Sequence, residues 1–165
     1  MTGKEIAAGA VAGVILAAAA HSTVAGTAHA TLTAANPPTA ATGAAAKAIA
    51  YARAQLGKPY IWGGTGPNGY DCSGLVYEAY ASAGVSIPRT SQTQWAALPH
   101  IPASQVQPGD LVFFPGSDGT WSAPGHVALV ISATQMEQAY ATGTPIEVSP
   151  LNGDGAGGIV GYARP

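Results

Sequence analysis

Cysteine is almost missing from this 165-residue chain. Cys72 is the only one, which excludes an internal disulfide framework and a multi-cysteine zinc site. Charge is scarce as well: 8% of residues are charged, six Lys or Arg against eight Asp or Glu, for a net charge of −2. Without a basic run there is no footprint for nucleic acid and no charge-driven patch for a membrane surface. The four His residues form no H-E-x-x-H pattern, so no metal ligand set and no metal cofactor are expected. Aromatic residues are absent from the first fifty positions, which hold 20 of the 35 Ala; all twelve aromatics lie from Tyr51 onward. A packed core needs large side chains, so the first fifty residues cannot build one alone. What remains has the size of one ordinary domain, placed at residues 44–165.

The N-terminal stretch is graded. Met1–Glu5 is short and polar, Ile6–Ala20 is fifteen small and apolar residues, and the segment ends in Ala28-His29-Ala30, a small-x-small cleavage pattern. Residues 1–30 are therefore expected to be a secretory signal peptide or, alternatively, an N-terminal anchor that holds the chain in a membrane through residues 6–20. As a helix, fifteen residues rise only about 22 Å, short of the ~30 Å hydrocarbon core, which favours the export signal. Either way the domain is expected outside the cytoplasm, secreted or tethered. Residues 31–43 (TLTAANPPTAATG) have paired prolines and no aromatic, and are expected to be a linker.

Within the domain the hydrophobic period changes midway. Ala44–Leu56 consists of helix formers and is stopped by Gly57 and Pro59. A glycine-rich loop, Tyr60–Tyr70, follows. Cys72, Leu75, Val76, Ala79, Tyr80 and Ala83 then make one helical stripe, with Asp71 as N-cap and Gly84 as the stop. A short helix is expected over Ser91–Leu98 after the Thr90 cap. The second half reads as short strands at Asp110–Phe114, His126–Ser132, Gln135–Ala141, Ile146–Pro150 and Gly158–Arg164. Helices first and strands later indicate an α+β fold, with helices on an antiparallel sheet of about five strands.

Cys72 sits in the first turn of its helix, where the helix dipole and unpaired N–H groups favour a thiolate. The stripe also points it toward the core, so its position alone fits both a nucleophile and a buried structural cysteine. Polar Asp71 and Ser73 beside it, and the glycines before it, suit close approach by a substrate. A thiol nucleophile needs a base. His100 lies between prolines in an expected surface loop, whereas His126 opens a strand that would hold its ring rigidly. A third group must orient the base. Gln138 and Glu137 lie on opposite faces of the next strand, and periodicity does not choose between them.

The motifs Tyr60-Ile-Trp62-Gly63-Gly64, Asp71-Cys72-Ser73-Gly74-Leu75, Ile87-Pro88-Arg89-Thr90-Ser91, Pro108-Gly109-Asp110-Leu111-Val112-Phe113-Phe114 and Gly125-His126-Val127 occur in this order. Together they resemble the NlpC-type cell-wall peptidases, papain-like cysteine hydrolases that cut peptidoglycan stem peptides. The resemblance spans about residues 44–165. It implies a papain-like fold with Cys72 as nucleophile, His126 as base and Gln138 as third member. Tyr60, Asp71 and Ser73 match positions lining the substrate subsites. It further implies cleavage of the γ-D-glutamyl–diamino acid amide, peptidoglycan stem peptides as partner, and no cofactor. The third member is commonly His in the family, and here it is Gln. Alternatives are a silent peptidoglycan-binding or assembly module, and an amidase or acyltransferase on the same scaffold.

Overall fold

The computed structural model describes residues 43–152 and 157–165. The expected signal or anchor at residues 1–30 and all but Gly43 of the expected linker lie outside the described residues.

Helix α1 (Gly43–Arg53) buries Ala48 and Ala52, one turn apart, against the following helix. It ends before Leu56, short of the sequence expectation. Ala54 and Gln55 donate to Tyr51 and Ala52, three residues back, and the Gln55 amide donates to the Tyr51 carbonyl, tightening the last turn. Helix α2 (Cys72–Ser82) starts where expected: the Asp71 carboxylate accepts the Gly74 N–H at 2.6 Å. Gly84, at φ 81°, lets the chain leave the helix in the left-handed region. Helix α3 (Ser91–Ala97) is closed by a capping box, Thr90 and Thr93 each bonding the other's backbone N–H.

Among the described residues the six strands are β1 (His100–Ile101), β2 (Leu111–Phe114), β3 (His126–Val130), β4 (Gln135–Gln138), β5 (Glu147–Pro150) and β6 (Gly161–Ala163). They form one sheet in the order β1-β6-β2-β3-β4-β5, each neighbour antiparallel. The sequence implied about five. The extra strand is β1, which places His100 opposite Ala163 on the sheet edge rather than in a loop. Two residues between Pro99 and Pro102 carry no alternation to detect.

Strand alternation divides the interior. On one face Leu111, Phe113, Val127 and Leu129 pack with Leu75, Val76 and Ala79 of α2 and with α1. On the other, Val112, Phe114, Ala128, Val130 and Met136 are covered by Val106, Leu151, Ile159 and Tyr162. Strands β2 and β3 are thus buried on both faces, which is why they read as continuous apolar runs. Arg164 grips the buried Asp110 carboxylate at 2.7 and 2.9 Å and holds the end of β6 beside the start of β2. Because α2 packs on β3, the first residue of the helix and the first residue of the strand meet at one end of the sheet.

Candidate active site

That meeting point holds Cys72 and His126. Both line a cavity of about 600 Å³, together with Tyr60, Trp62, Asp118 and Tyr140. The Cys72 Sγ lies 3.9 Å from the Gly125 carbonyl, the residue before His126. Burial pushes the thiol up to about 11, against the depression expected from its helix terminus. The backbone N–H groups of Val127 and Ser73 pull the other way but do not win, and Asp71 adds to the rise. Burial likewise lowers His126, with the Gln138 hydrogen bond and Asp118 opposing. Both shifts favour the neutral thiol and the neutral imidazole over an ion pair.

The imidazole is held from several sides. Its Nε2 lies 2.8 Å from Gln138 Oε1, its ring meets Tyr140 edge-on at 5.4 Å, and Phe114 packs at 5.7 Å. Gln138 shares the sheet face of Ala128 and Phe114, so alternation turns Glu137 to the helix side, where its carboxylate sits 3.7 Å from Arg53. The structure thereby separates the two residues that periodicity could not rank. With the amide oxygen turned toward it, Nε2 carries the hydrogen and the neutral ring keeps its lone pair on Nδ1. His100 lines neither this cavity nor its neighbour; its ring stacks on Trp95 at 3.6 Å.

A second cavity of about 450 Å³ lies on the other side of Cys72, lined by Asp71, Ser73 and Arg89 and sharing Tyr60, Trp62 and Asp118 with the first. Asp71 is heavily engaged. One oxygen accepts from Gly74 N, Arg89 and Ser73, the other from Arg89 at 2.7 Å and Gly63 N at 2.9 Å. It joins the Trp62-Gly63-Gly64 turn to the helix start. Arg89 also donates to Ser73 Oγ at 2.9 Å, so Asp71, Ser73 and Arg89 form one polar wall. Gly74 is required here, because a Cβ at that position would lie 2.0 Å from the Gly64 carbonyl. Tyr60, between the cavities, is pushed up to about 12 mainly by burial and stays protonated, able to donate. Sequence reasoning assigned no role to Arg89, Trp62, Asp118 or Tyr140. Arg89 lies in the Ile87–Ser91 motif, but its partner is 18 residues away and no periodicity links them. Among the described residues no three His, Cys, Asp or Glu side chains converge as metal ligands would.

A thiol at a helix N-terminus and an imidazole on an antiparallel sheet, steadied by a side-chain amide, make the papain-like arrangement of cysteine hydrolases. Residues 57–158 match the model of the NlpC/P60 family, and the chain belongs to that family. It is 42% identical over 117 residues to the probable endopeptidase p60 of Listeria monocytogenes, a match covering 70% of this chain and 23% of that protein. The chain thus spans under a quarter of the length of that relative. Among solved structures it resembles the peptidoglycan hydrolase RipB of Mycobacterium tuberculosis, with 34% identity, a TM-score of 0.62, and coverage of 73% of this chain and 64% of that one. The P60 domain of a Mycobacterium avium subspecies paratuberculosis antigen is matched over 93% of its length and 73% of this chain, at 34% identity and a TM-score of 0.62.

Proposed function

We propose that this chain hydrolyses peptidoglycan stem peptides, at the amide between γ-linked D-glutamate and the following diamino acid, with Cys72 as nucleophile. The observation that carries this reading is that Cys72 and His126 line one cavity while Gln138 engages the His126 Nε2 at 2.8 Å, which assigns the base role to Nδ1. Relatives named endopeptidase and peptidoglycan hydrolase support the substrate class.

The resting pair is neutral, so the proton moves as the substrate is attacked. Sγ bonds to the γ-carbonyl carbon while His126 Nδ1 takes the thiol proton, and the carbonyl π pair becomes the oxyanion. The Cys72 backbone N–H, one of the first-turn donors the helix does not use, and the Tyr60 hydroxyl stabilise that oxyanion. Collapse breaks the C–N bond; His126 returns the proton to the leaving amine, and a thioester remains. Water, deprotonated by His126, attacks the thioester and releases the carboxylate and the thiol. Gln138 stabilises the transient imidazolium by hydrogen bonding without charge, as an amide must. The stem peptide is placed along the two cavities, with Tyr60, Asp71 and Ser73 bordering its glutamyl side. Export through residues 1–30 would bring the enzyme to the wall, secreted or anchored.

Digestion of purified wall followed by mass spectrometry of the products tests this reading. A new amine on the diamino acid is expected, absent with Cys72→Ala. Cleavage only between muramic acid and L-alanine would show an amidase instead, and an undigested wall would leave a binding module.

A further inference from the structure

The hydrogen bond between Gln138 and His126 does not fix its own direction. A primary amide has nearly the same shape after a half-turn, and a neutral imidazole can place its hydrogen on either nitrogen. A flipped amide would present N–H to Nε2, and the ring could answer by carrying its hydrogen on Nδ1. The lone pair needed in the cavity would then be lost. Something beyond Gln138 must choose.

We propose that Ser149 and Glu147 on the edge strand β5 are positioning residues that set the ring tautomer of His126 through the Gln138 amide. This rests on the reading of His126 as the base. In the β4–β5 ladder Gln138 pairs with Glu147 and Met136 with Ser149. Glu147 and Ser149 are two residues apart and share the face of Gln138, which makes Ser149 its diagonal neighbour. The Gln138 Nε2 donates to Ser149 Oγ at 3.0 Å, and Ser149 Oγ donates to Glu147 Oε1 at 3.2 Å.

The Glu147 carboxylate has no hydrogen to give, so Ser149 spends its only hydrogen there. The serine oxygen is left as an acceptor, which takes the NH₂ end of the amide. Oε1 must face His126, Nε2 must carry the hydrogen, and the lone pair falls on Nδ1. Reversing the amide would leave Oε1 against the Ser149 oxygen, or force Ser149 to abandon Glu147. A carboxylate at the sheet edge thus decides which nitrogen is basic at a histidine it never touches.

Long-range proton–nitrogen spectra of the full chain test this directly, with the His126 ring assigned by its loss in His126→Asn. At a pH where the ring is neutral, wild type is expected to show hydrogen on Nε2. Ser149→Ala and Glu147→Ala should each give a mixture of tautomers, while Ser149→Thr, which keeps the hydroxyl, should restore the wild-type pattern. In Gln138→Glu both ends of the side chain accept, so adding Ser149→Ala should change neither tautomer nor rate. On a soluble stem peptide, Ser149→Ala should lower kcat by about twofold with KM unchanged, because losing the bias of one ordinary hydrogen bond leaves about half the molecules in the competent tautomer. It should also move the acid limb of the pH profile downward, since the bond from Gln138 holds the His126 pKa up. Hydrogen on Nδ1 in wild type, or a single unchanged tautomer in Ser149→Ala, would overturn the proposal. These spectra need no substrate. A tautomer that responds as stated in a chain that digests no wall would uphold this inference and sink the hydrolase reading; the reverse pair of results would do the opposite.

Discussion

Cys72 stands under two opposed influences, and their balance sets how the thiol behaves. Its place in the first turn of α2 favours the thiolate, yet with 8% of its surface exposed the loss of hydration is larger, and the thiol is raised to about 11. At pH 7 that rise favours the thiol over the thiolate in the unliganded protein. Iodoacetamide labelling of native Cys72 should accordingly accelerate about tenfold per pH unit from pH 7 to 10; a plateau near neutrality would reveal a resting thiolate–imidazolium pair instead. Cys72→Ala should abolish turnover while shifting stability by only about 1 kcal/mol, measured as a denaturant midpoint. His126→Ala should also lose turnover, and His100→Ala should keep it, because that ring stacks on Trp95 away from both cavities. Unfolding of Cys72→Ala would mark the cysteine as structural.

On strand β4, adjacent residues meet opposite environments. Gln138 reaches the imidazole, and Gln138→Ala should cut kcat on the order of ten- to a thousandfold, the range open to an orienting group, with Gln138→His retaining activity. Glu137 is fully buried on the helix side with neither oxygen hydrogen-bonded, and burial pushes it up to about 7 despite Arg53. Its folded pKa exceeds the unfolded 4.5, so between those values the unfolded chain releases a proton that the folded chain retains. Stability falls across that window and stays lower above pH 7, by about 3 kcal/mol. Glu137→Gln should therefore raise the melting temperature at pH 8, do little at pH 4, and leave kcat alone. The contrast also shows what was readable beforehand. Alternation put the two side chains on opposite faces, and the α2 stripe with its Asp71 and Gly84 limits was plain, because both depend on local periods and caps. Which face of β4 meets His126 depends on the β3–β4 register, and the Asp71–Arg89 clamp depends on a loop bringing together residues 18 apart. No local pattern encodes either.

At the scale of the molecule, the domain boundary expected at residue 44 predicts where the working unit begins. Residues 44–165 alone should keep most of the turnover and the circular dichroism of the longer chain, since α1 already supplies Ala48 and Ala52 to the core; loss of either would move the boundary. Family motifs carried most of the site into view, while the sixth strand escaped because β1 is only two residues long. That short strand and β5 are the two borders of the sheet. Pro99 and Pro102 flank β1, and β5 ends in Pro150. The next residue, Leu151, turns its N–H inward to Thr134, so position 150 presents its outer side with no N–H to offer. Neither border displays the continuous row of donors that a second copy would need to extend the sheet. In a protein with so little surface charge to keep copies apart, two outward-facing prolines, Pro102 and Pro150, stand in the way of strand-by-strand self-association.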